Sequence, residues 1–149
     1  MTSGKRVLVA TDFTEPSIAA LEYAVYIANR TNAGMDLLHI ADKNKLRDKI
    51  EDRSAYKEKL EQVYTQLEEL KVKSGAAFRI SEHVIITDEN FYDVIIDYGV
   101  AHACDLCCLG VSSSIKHALG DNTEHLVKKA DFPILSCRDV KRPVQFKNL

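Results

Sequence analysis

The stretch from Asp105 to Cys137 limits the possible folds more than any other part of the chain. It runs from an apolar, strand-like segment through a polar turn into a helix-like segment, and a second apolar strand follows Pro133. A strand, a polar loop, a helix and a further strand are typical of a parallel α/β unit, in which the helix N-terminus can bind an anion. This stretch therefore predicts an α/β domain with a possible phosphate site.

The same alternation extends over most of the chain. The segment Arg6–Ala10 contains a continuous apolar run, which is typical of a central parallel strand covered on both faces. Thr14 offers a capping hydroxyl and Pro16 an early proline, so we expect a helix to start there and to end at the turn residues 31–34. Further predicted elements are strands at 35–40, 78–86, 106–109 and 134–137, and helices within 42–75, from 88–90 onward and at 122–129. This order predicts a three-layer α/β sandwich with a mainly parallel sheet.

Two of the predicted helices have distinct apolar faces. The long, highly charged helix carries an apolar stripe at steps of four and three, formed by Tyr56, Leu60, Val63, Leu67 and Leu70. We expect this stripe to cover the sheet; pairing with a partner helix is the alternative, but two heptads are fewer than a coiled coil needs. The next helix is expected to turn Val94, Ile95, Tyr98 and Ala101 inward.

Length, charge and composition narrow the class of protein. A chain of 149 residues is long enough for one hydrophobic core, which we place at about 6–137, with a modestly basic tail at 138–149. The net charge of -2 gives no field that would favour nucleic acid or anionic lipid. Because the apolar run before Thr11 is too short for a signal segment, we expect a cytoplasmic location.

The four cysteines are expected to be buried and reduced. Cys104, Cys107 and Cys108 are crowded together, and Cys137 lies in the last predicted strand. All are in or beside apolar segments, where free thiols are common. Cys104 and Cys107 have the spacing of half a zinc site, but no second pair follows at a suitable distance, so no zinc site is predicted.

Two other patterns near the polar turn are considered and set aside. His117, Asp121 and His125 are spaced by four, but Gly120 and Asp121 indicate a helix start that would break the alignment, so no metal site is predicted. The sequence Gly110-x-Ser112-x-Ser114 is close to a hydrolase nucleophile elbow but lacks its final glycine. No acid and histidine follow at usable distance, and no catalytic residue is predicted.

Several motifs together resemble the universal stress protein family over nearly the whole chain, from Arg6 to about Cys137. They are Val7-Leu-Val-Ala-Thr-Asp12, the helix with Pro16-Ser17-x-x-Ala20-Leu21, Leu37-Leu-His-Ile40, Ala103-Cys-Asp105-x-x-x-Leu109-Gly110 and Ala130-Asp-Phe-Pro-Ile-Leu135. The resemblance implies an open five-stranded sheet in the order 3-2-1-4-5 with two helices on each face. It also implies a homodimer, which in this family is often paired through the last strand, here residues 133–137.

The family has an ATP-binding branch with the pattern Gly-x-x-Gly, nine residues, then Gly-Ser or Gly-Thr. Glycines in such a loop let backbone amides approach phosphates, and the hydroxyl bonds a terminal phosphate. In this chain Gly110 matches the first glycine, but Ser113 replaces the second. Only six residues separate Ser113 from Gly120, and Asp121 stands where the hydroxyl residue belongs. The loop is therefore a degenerate version of the ATP-binding pattern.

Among the departures from the ATP-binding pattern, Asp121 is the one whose effect on phosphate affinity can be estimated. A carboxylate about 4 Å from a phosphate charge costs on the order of 4 kcal/mol at an effective dielectric constant of about 20, or around a thousandfold in affinity. At the start of a helix the same residue would contribute about 1 kcal/mol of stability. A bridging Mg²⁺ could reverse the repulsion, because carboxylates share this ion with phosphates.

The resemblance also implies roles for residues outside the loop. Asp12 matches the acidic residue near the adenosine, and Ile40 matches the position whose backbone meets adenine. Asp12 has a simpler alternative role, since an Asp at a strand-to-helix turn can bond nearby backbone amides. If a nucleotide binds, the candidate residues are Asp12, Ile40, Gly110, Ser112, Ser113, Gly120, Asp121 and Asn122.

Two functions follow from these observations. The first is a dimeric stress-response or regulatory module that acts through protein partners without tight ATP binding and without a cofactor. The alternative is a switch protein that binds ATP, ADP or AMP with Mg²⁺ and hydrolyses it slowly at most. The degenerate loop favours the first function.

Overall fold

The computed structural model describes residues 5–43, 53–76, 78–111 and 129–138. Strands and helices alternate along these segments, in the order β1 (Arg6–Ala10), α1 (Glu15–Thr31), β2 (Gly34–Asp42), α2 (Arg53–Lys73), β3 (Ile80–Thr87), α3 (Phe91–Ala101), β4 (Leu106–Val111) and β5 (Ile134–Arg138). The predicted strands are all present, and their ends differ from prediction by a few residues. The helix predicted at 122–129 falls almost wholly outside the described residues, as does the tail beyond residue 138.

The five strands form one parallel sheet in the order β3-β2-β1-β4-β5. This confirms the predicted order 3-2-1-4-5 and the α/β class. β1 lies at the centre, where Val7 is paired with Met35 of β2 on one side and with Leu106 of β4 on the other. The division into a core at 6–137 and a separate tail stays a prediction.

The apolar run of β1 is explained by the two layers of helices that cover the sheet. Val7 and Val9 pack into a core with α1 and α2, whereas Leu8 and Ala10 pack into a second core with α3. All four side chains are buried. Since successive side chains of a strand point to opposite faces, a strand covered on both sides buries every side chain, and in β1 these are apolar from Val7 to Ala10.

The predicted face of α2 is confirmed, and that of α3 needs one correction. Val63, Leu67 and Leu70 of α2 are buried in the first core. On α3, Ala101 was expected to point inward but is exposed. The helix ends at that residue, and Ala103 with a φ of 52° redirects the chain so that Cys104 enters the core instead. The buried face also includes Tyr92, which the pattern missed.

The four cysteines are free and buried, as predicted. Burial raises the pKa of Cys104 to about 11 and, with the nearby Cys137, that of Cys108 to about 12. Burial also raises the pKa of Cys107 and of Cys137. The thiolate is the reactive form of cysteine, so these side chains are inert packing groups in the folded protein.

We expect the thiols of the folded protein to react with an aromatic disulfide reagent at pH 8 at least about tenfold more slowly than in urea. Because their pKa values are raised on folding, their contribution to stability is complete below the ordinary thiol pKa of 9.0 and is lost as the pH rises through about 11 and 12. Urea unfolding between pH 8 and pH 11 measures this loss. Equal labelling rates in the native and unfolded states would contradict the prediction of slow thiol labelling in the folded protein.

No helix in the described part of the chain is both long and apolar enough to cross a membrane.

Candidate functional site

Three of the predicted site residues lie at the carboxyl ends of adjacent strands. Ala10 of β1 is paired with Leu38 of β2 and with Leu109 of β4. Asp12 and Ile40 each lie two residues beyond this level, and Gly110 lies one residue beyond it. In an open parallel sheet this edge is where ligands bind, next to the strand at which the connections change direction.

The Asp12 side chain is exposed and bonded to its own turn. Its Oδ1 accepts a hydrogen bond from the backbone N–H of Thr14 at 3.1 Å and a second one from the Thr14 hydroxyl. The expectation that this hydroxyl caps α1 was therefore wrong, because the hydroxyl donates to Asp12 although Thr14 does occupy the N-cap position. These contacts match the structural alternative for Asp12, an Asp that fixes a strand-to-helix turn.

The turn between β1 and α1 is held by buried hydroxyl groups. The Oγ atoms of Thr11 and Ser17 are 3.0 Å apart, and the Ser17 hydroxyl donates to the Thr14 carbonyl at 2.8 Å. Phe13 has a φ of 67°, a left-handed conformation that is rare for a residue with a large side chain. Its N–H donates to Thr11 Oγ1 at 3.1 Å. The hydrogen bonds of Thr11 thus brace a turn in which Phe13 adopts a strained backbone conformation and packs against the core on the α1 side of the sheet.

Phe13 and His39 form an aromatic pair beside Asp12 that the sequence reasoning missed. Their ring centres are 4.6 Å apart with an angle of 33° between the planes. His39 Nδ1 lies 2.8 Å from the Thr11 carbonyl oxygen, so this nitrogen carries the proton and donates. Both rings are partly exposed. His39 stood in the motif Leu37-Leu-His-Ile40, and its place as a polar residue directly after the two leucines of the predicted strand was the signal that could have identified it.

Ile40 is half-buried and packs against the core on the α3 side of the sheet. Because side chains alternate along β2, His39 faces the opposite layer, toward α1. At the carboxyl end of the sheet, β2 therefore carries an apolar side chain on its α3 face and an imidazole on its α1 face.

Gly110 has a packing role that needs no ligand. A Cβ atom at this position would lie well under 3.0 Å from backbone atoms of Pro16 and Ser17, in the first turn of α1. Only glycine lets β4 and α1 approach this closely. The glycine that matches the first position of the ATP-binding pattern is thus explained by strand-to-helix contact.

The other predicted site residues are Ser112, Ser113, Gly120, Asp121 and Asn122. They lie outside the described residues, so their grouping with Asp12 and Ile40 stays a prediction. Within the described ranges no group of three or more His, Cys, Asp or Glu side chains is placed to hold a metal ion. His117 and His125 fall outside these ranges.

A second polar cluster lies at the opposite end of the sheet and was not anticipated. Asp36 of β2 is fully buried and forms an ion pair with Arg6 through its Oδ1. The Tyr98 hydroxyl donates to Asp36 Oδ2 at 3.1 Å. Burial, followed by the negative charge of Asp36, raises the pKa of Tyr98 far above its usual range. The cluster keeps one charged carboxylate inside the core with both of its oxygens bonded.

Comparison with known proteins supplies the family and the fold. Residues 4–138 match the model of the universal stress protein family. No curated protein matches the chain in sequence.

Three solved structures illustrate the likeness in fold. The hypothetical protein MJ0577 is 20% identical with a TM-score of 0.73, over 95% of this chain and 100% of that chain. A universal stress protein in complex with cAMP is 17% identical with a TM-score of 0.65, over 92% and 98% of the two chains. A universal stress protein from Archaeoglobus fulgidus in complex with dAMP is 15% identical with a TM-score of 0.65, over 92% and 99%. At these identities the likeness concerns the fold alone.

Proposed function

Since the chain belongs to the universal stress protein family, we propose that it is a stress-response regulatory module of the cytoplasm that acts as a homodimer without tight ATP binding. The observation that carries the proposal is the close contact between Gly110 and the first turn of α1. This glycine is required by packing, so its presence is no sign of a retained phosphate loop. The proposed output is contact with a protein partner through the surface of the domain.

The sequence of the loop supports weak binding of ATP. Of the pattern's two spaced glycines only Gly110 is retained, and Asp121 replaces the hydroxyl that would bond a terminal phosphate. A carboxylate at that place repels a triphosphate by on the order of 4 kcal/mol. The repulsion is greatest for the ligand with the most phosphate charge, so ATP is disfavoured more than a nucleotide with one phosphate.

Calorimetric titration tests this proposal. We expect no saturable binding of ATP in the micromolar range, with or without Mg²⁺, for the unaltered protein. The variant Asp121→Ser restores the hydroxyl of the family pattern and is expected to tighten ATP binding by at least about tenfold, since it removes a like charge. Asp121→Asn is the matched control, because it removes the charge without providing a hydroxyl. Saturable micromolar binding of ATP by the unaltered protein would overturn the proposal.

A second candidate function is the binding of an adenine nucleotide with a single phosphate. Two relatives of the same fold are described in complex with cAMP and with dAMP. In this chain Asp12 and Ile40 lie at the carboxyl ends of β1 and β2, and the Phe13–His39 pair adds a partly exposed aromatic surface beside them. The edge that would meet adenosine is thus formed by residues that do not depend on the altered loop.

The same titration with AMP and cAMP distinguishes the two functions. Micromolar binding of AMP or cAMP that is weakened at least tenfold by Asp12→Ala would support the nucleotide function. The control is Glu15→Ala, which removes a neighbouring exposed carboxylate from the first turn of α1.

Bridging of ATP by Mg²⁺ at Asp121 is a separate hypothesis. It fails if the affinity for ATP is unchanged by Mg²⁺ or by Asp121→Ala.

The proposed dimer contact is the free side of β5. β5 is an edge strand of the sheet, and the backbone N–H of Cys107 in β4 bonds to the Pro133 carbonyl at 3.0 Å. Since backbone groups alternate between the two sides of a strand, the N–H of Ser136 points away from β4. An edge of this kind can pair with the same strand of a second copy.

Replacing Ser136 by proline is expected to convert the dimer into monomers, because proline removes the outward N–H and its ring hinders strand pairing. The matched control is Ser136→Ala, which keeps the N–H and should remain dimeric. Light scattering after size-exclusion chromatography measures the mass of each variant. A dimer that persists in Ser136→Pro would place the interface elsewhere, and a monomeric unaltered protein would contradict the proposed assembly.

A further inference from the structure

Two histidine rings lie close together beside Tyr98, which belongs to the buried cluster with Arg6 and Asp36. His83 belongs to the edge strand β3, and His102 directly follows α3 as its C-cap residue. Their ring centres are 6.0 Å apart with 50° between the planes. His83 is half-buried and His102 is exposed, so both rings are open to ions in solution. Neither residue takes part in the candidate nucleotide site.

The hydrogen bonding of His102 fixes which of its nitrogens can bind an ion. Its Nδ1 lies 3.0 Å from the Tyr98 carbonyl oxygen, and a carbonyl can only accept a hydrogen bond. Nδ1 therefore carries the proton in the neutral ring, which leaves the lone pair on Nε2. An imidazole whose second nitrogen donates to a backbone carbonyl is the usual arrangement of a histidine that ligates a metal.

The position of His102 is also held by its neighbours. Its ring stacks on the Tyr98 ring with a centre-to-centre distance of 3.9 Å and an angle of 15°. Tyr98 is itself anchored through its hydroxyl to Asp36, and its ring lies 5.4 Å from that of His83. The pair is thus positioned by the buried polar cluster beneath it, which lowers the entropy lost when both rings bind one ion.

The distance between the rings suits a shared ion. A metal bonded at about 2.1 Å to a ring nitrogen lies roughly 3.2 Å from the ring centre, so two rings sharing an ion at a tetrahedral angle have centres about 5 Å apart. The observed 6.0 Å is within about 1 Å of this distance, so a small turn of the His83 side chain brings the rings together while His102 keeps its stacking on Tyr98. His102 also lies at the carboxyl end of α3, where the helix dipole places a partial negative charge that favours a cation.

We propose that His83 and His102 form a two-histidine binding site for a divalent transition-metal ion that prefers imidazole, with water completing the coordination. Imidazole ligands select Zn²⁺, Cu²⁺ and Ni²⁺ over Mg²⁺ and Ca²⁺. A bound ion would connect the edge strand β3 to the end of α3. Such a link stabilises the folded state by an amount that rises with the logarithm of the ion concentration above the Kd, because the unfolded chain does not hold the two rings together. The site does not depend on the nucleotide or dimer proposals.

Titration of the full chain with ZnCl₂, followed by NMR of the histidine ring protons, tests the site without any substitution. We expect the signals of His83 and His102 to shift together at one equivalent, and MgCl₂ to leave them unchanged. Shifts confined to His39, His117 or His125, or shifts of His83 and His102 at different concentrations, would overturn the proposal.

Calorimetry with variants tests the chelation directly. His83→Gln and His102→Gln are each expected to weaken Zn²⁺ binding at least tenfold, because a single imidazole loses the second bond. His39→Gln and the double variant His117→Gln/His125→Gln are the matched controls, and their affinity should be unchanged. Circular dichroism confirms that each variant is folded. Retention of full affinity in His83→Gln or in His102→Gln shows adventitious binding by a single residue and rejects the site.

Discussion

Gly110→Ala should destabilise the protein by about 3 kcal/mol or more, since overpacking a rigid contact costs 1–3 kcal/mol and occasionally more. The new methyl group would collide with backbone atoms of Pro16 and Ser17. Backbone atoms of a helix cannot move aside as the end of a flexible side chain can. Relief requires α1 to move away from β4, and this opens the core that Ala20 and Leu21 share with the sheet. Urea unfolding followed by circular dichroism measures the loss.

Gly34→Ala is the matched control for this substitution. A Cβ atom at Gly34 would meet its nearest neighbour, an Arg6 side-chain nitrogen, at 3.6 Å, which is an ordinary contact. The substitution should leave the free energy of unfolding unchanged or raise it by up to about 1 kcal/mol, because it restricts the unfolded chain. If both variants have the same stability, the contact between Gly110 and α1 is not as close as described.

Arg6→Met should lower the free energy of unfolding at pH 7 by about 3 kcal/mol, the lower end of the range for breaking a buried ion pair. Asp36 is fully buried and would keep only the Tyr98 hydroxyl as a partner. The lower end applies because the Arg6 side chain is 39% exposed, so water can reach the space that it leaves. Methionine keeps the length and packing of the arginine stem and removes the charge. Urea unfolding at pH 7 measures the loss.

Two comparison variants separate the buried charge from other effects. Lys5→Met removes a positive charge from the exposed neighbouring residue and should change stability by less than about 0.5 kcal/mol. Tyr98→Phe removes one hydrogen bond to the carboxylate and should cost about 1.5–3 kcal/mol. An Arg6→Met protein as stable as Lys5→Met would show that the ion pair adds nothing to the stability of the fold.

Much of the fold could be predicted because the periodicity of apolar residues is a local property of the sequence. The run in Arg6–Ala10 has no polar position because both of its faces are covered, and the stripe with Val63, Leu67 and Leu70 is a helix with one covered face. The strand order is not a local property. It was obtained from the resemblance to a family, and the pairing of β1 with β2 and β4 confirmed it.

The details of the candidate site could be predicted only in part, because they depend on conformation and on distant neighbours. Asp12 was identified from the resemblance to a family, and the structural role that its place at a strand-to-helix turn suggests matches the observed hydrogen bonds. The sequence does not indicate that Phe13 adopts a positive φ; in the structure its N–H donates to the hydroxyl of Thr11, two residues earlier. The whole loop at 112–122 lies outside the described residues and remains a prediction from sequence.

The buried cluster was missed for a related reason. Asp36 stands within the apolar segment of β2, and a carboxylate in such a segment requires a partner. The sequence indicates that requirement but not the partners, because Arg6 is 30 residues away and Tyr98 is 62 residues away along the chain. Tertiary structure alone brings the three side chains together.

The central place of β1 has a consequence for how the chain folds as it is synthesised. β1 meets β2 soon after synthesis begins, but its other neighbour pairs Val7 with Leu106, which is about a hundred residues later. At a synthesis rate of about 5–20 residues per second, one edge of β1 waits roughly 5–20 s for its partner. During this time the first β-α-β unit exposes an unpaired apolar strand edge, which is the form most prone to aggregate or to need a chaperone. The order of the strands therefore makes the last third of the chain decisive for productive folding.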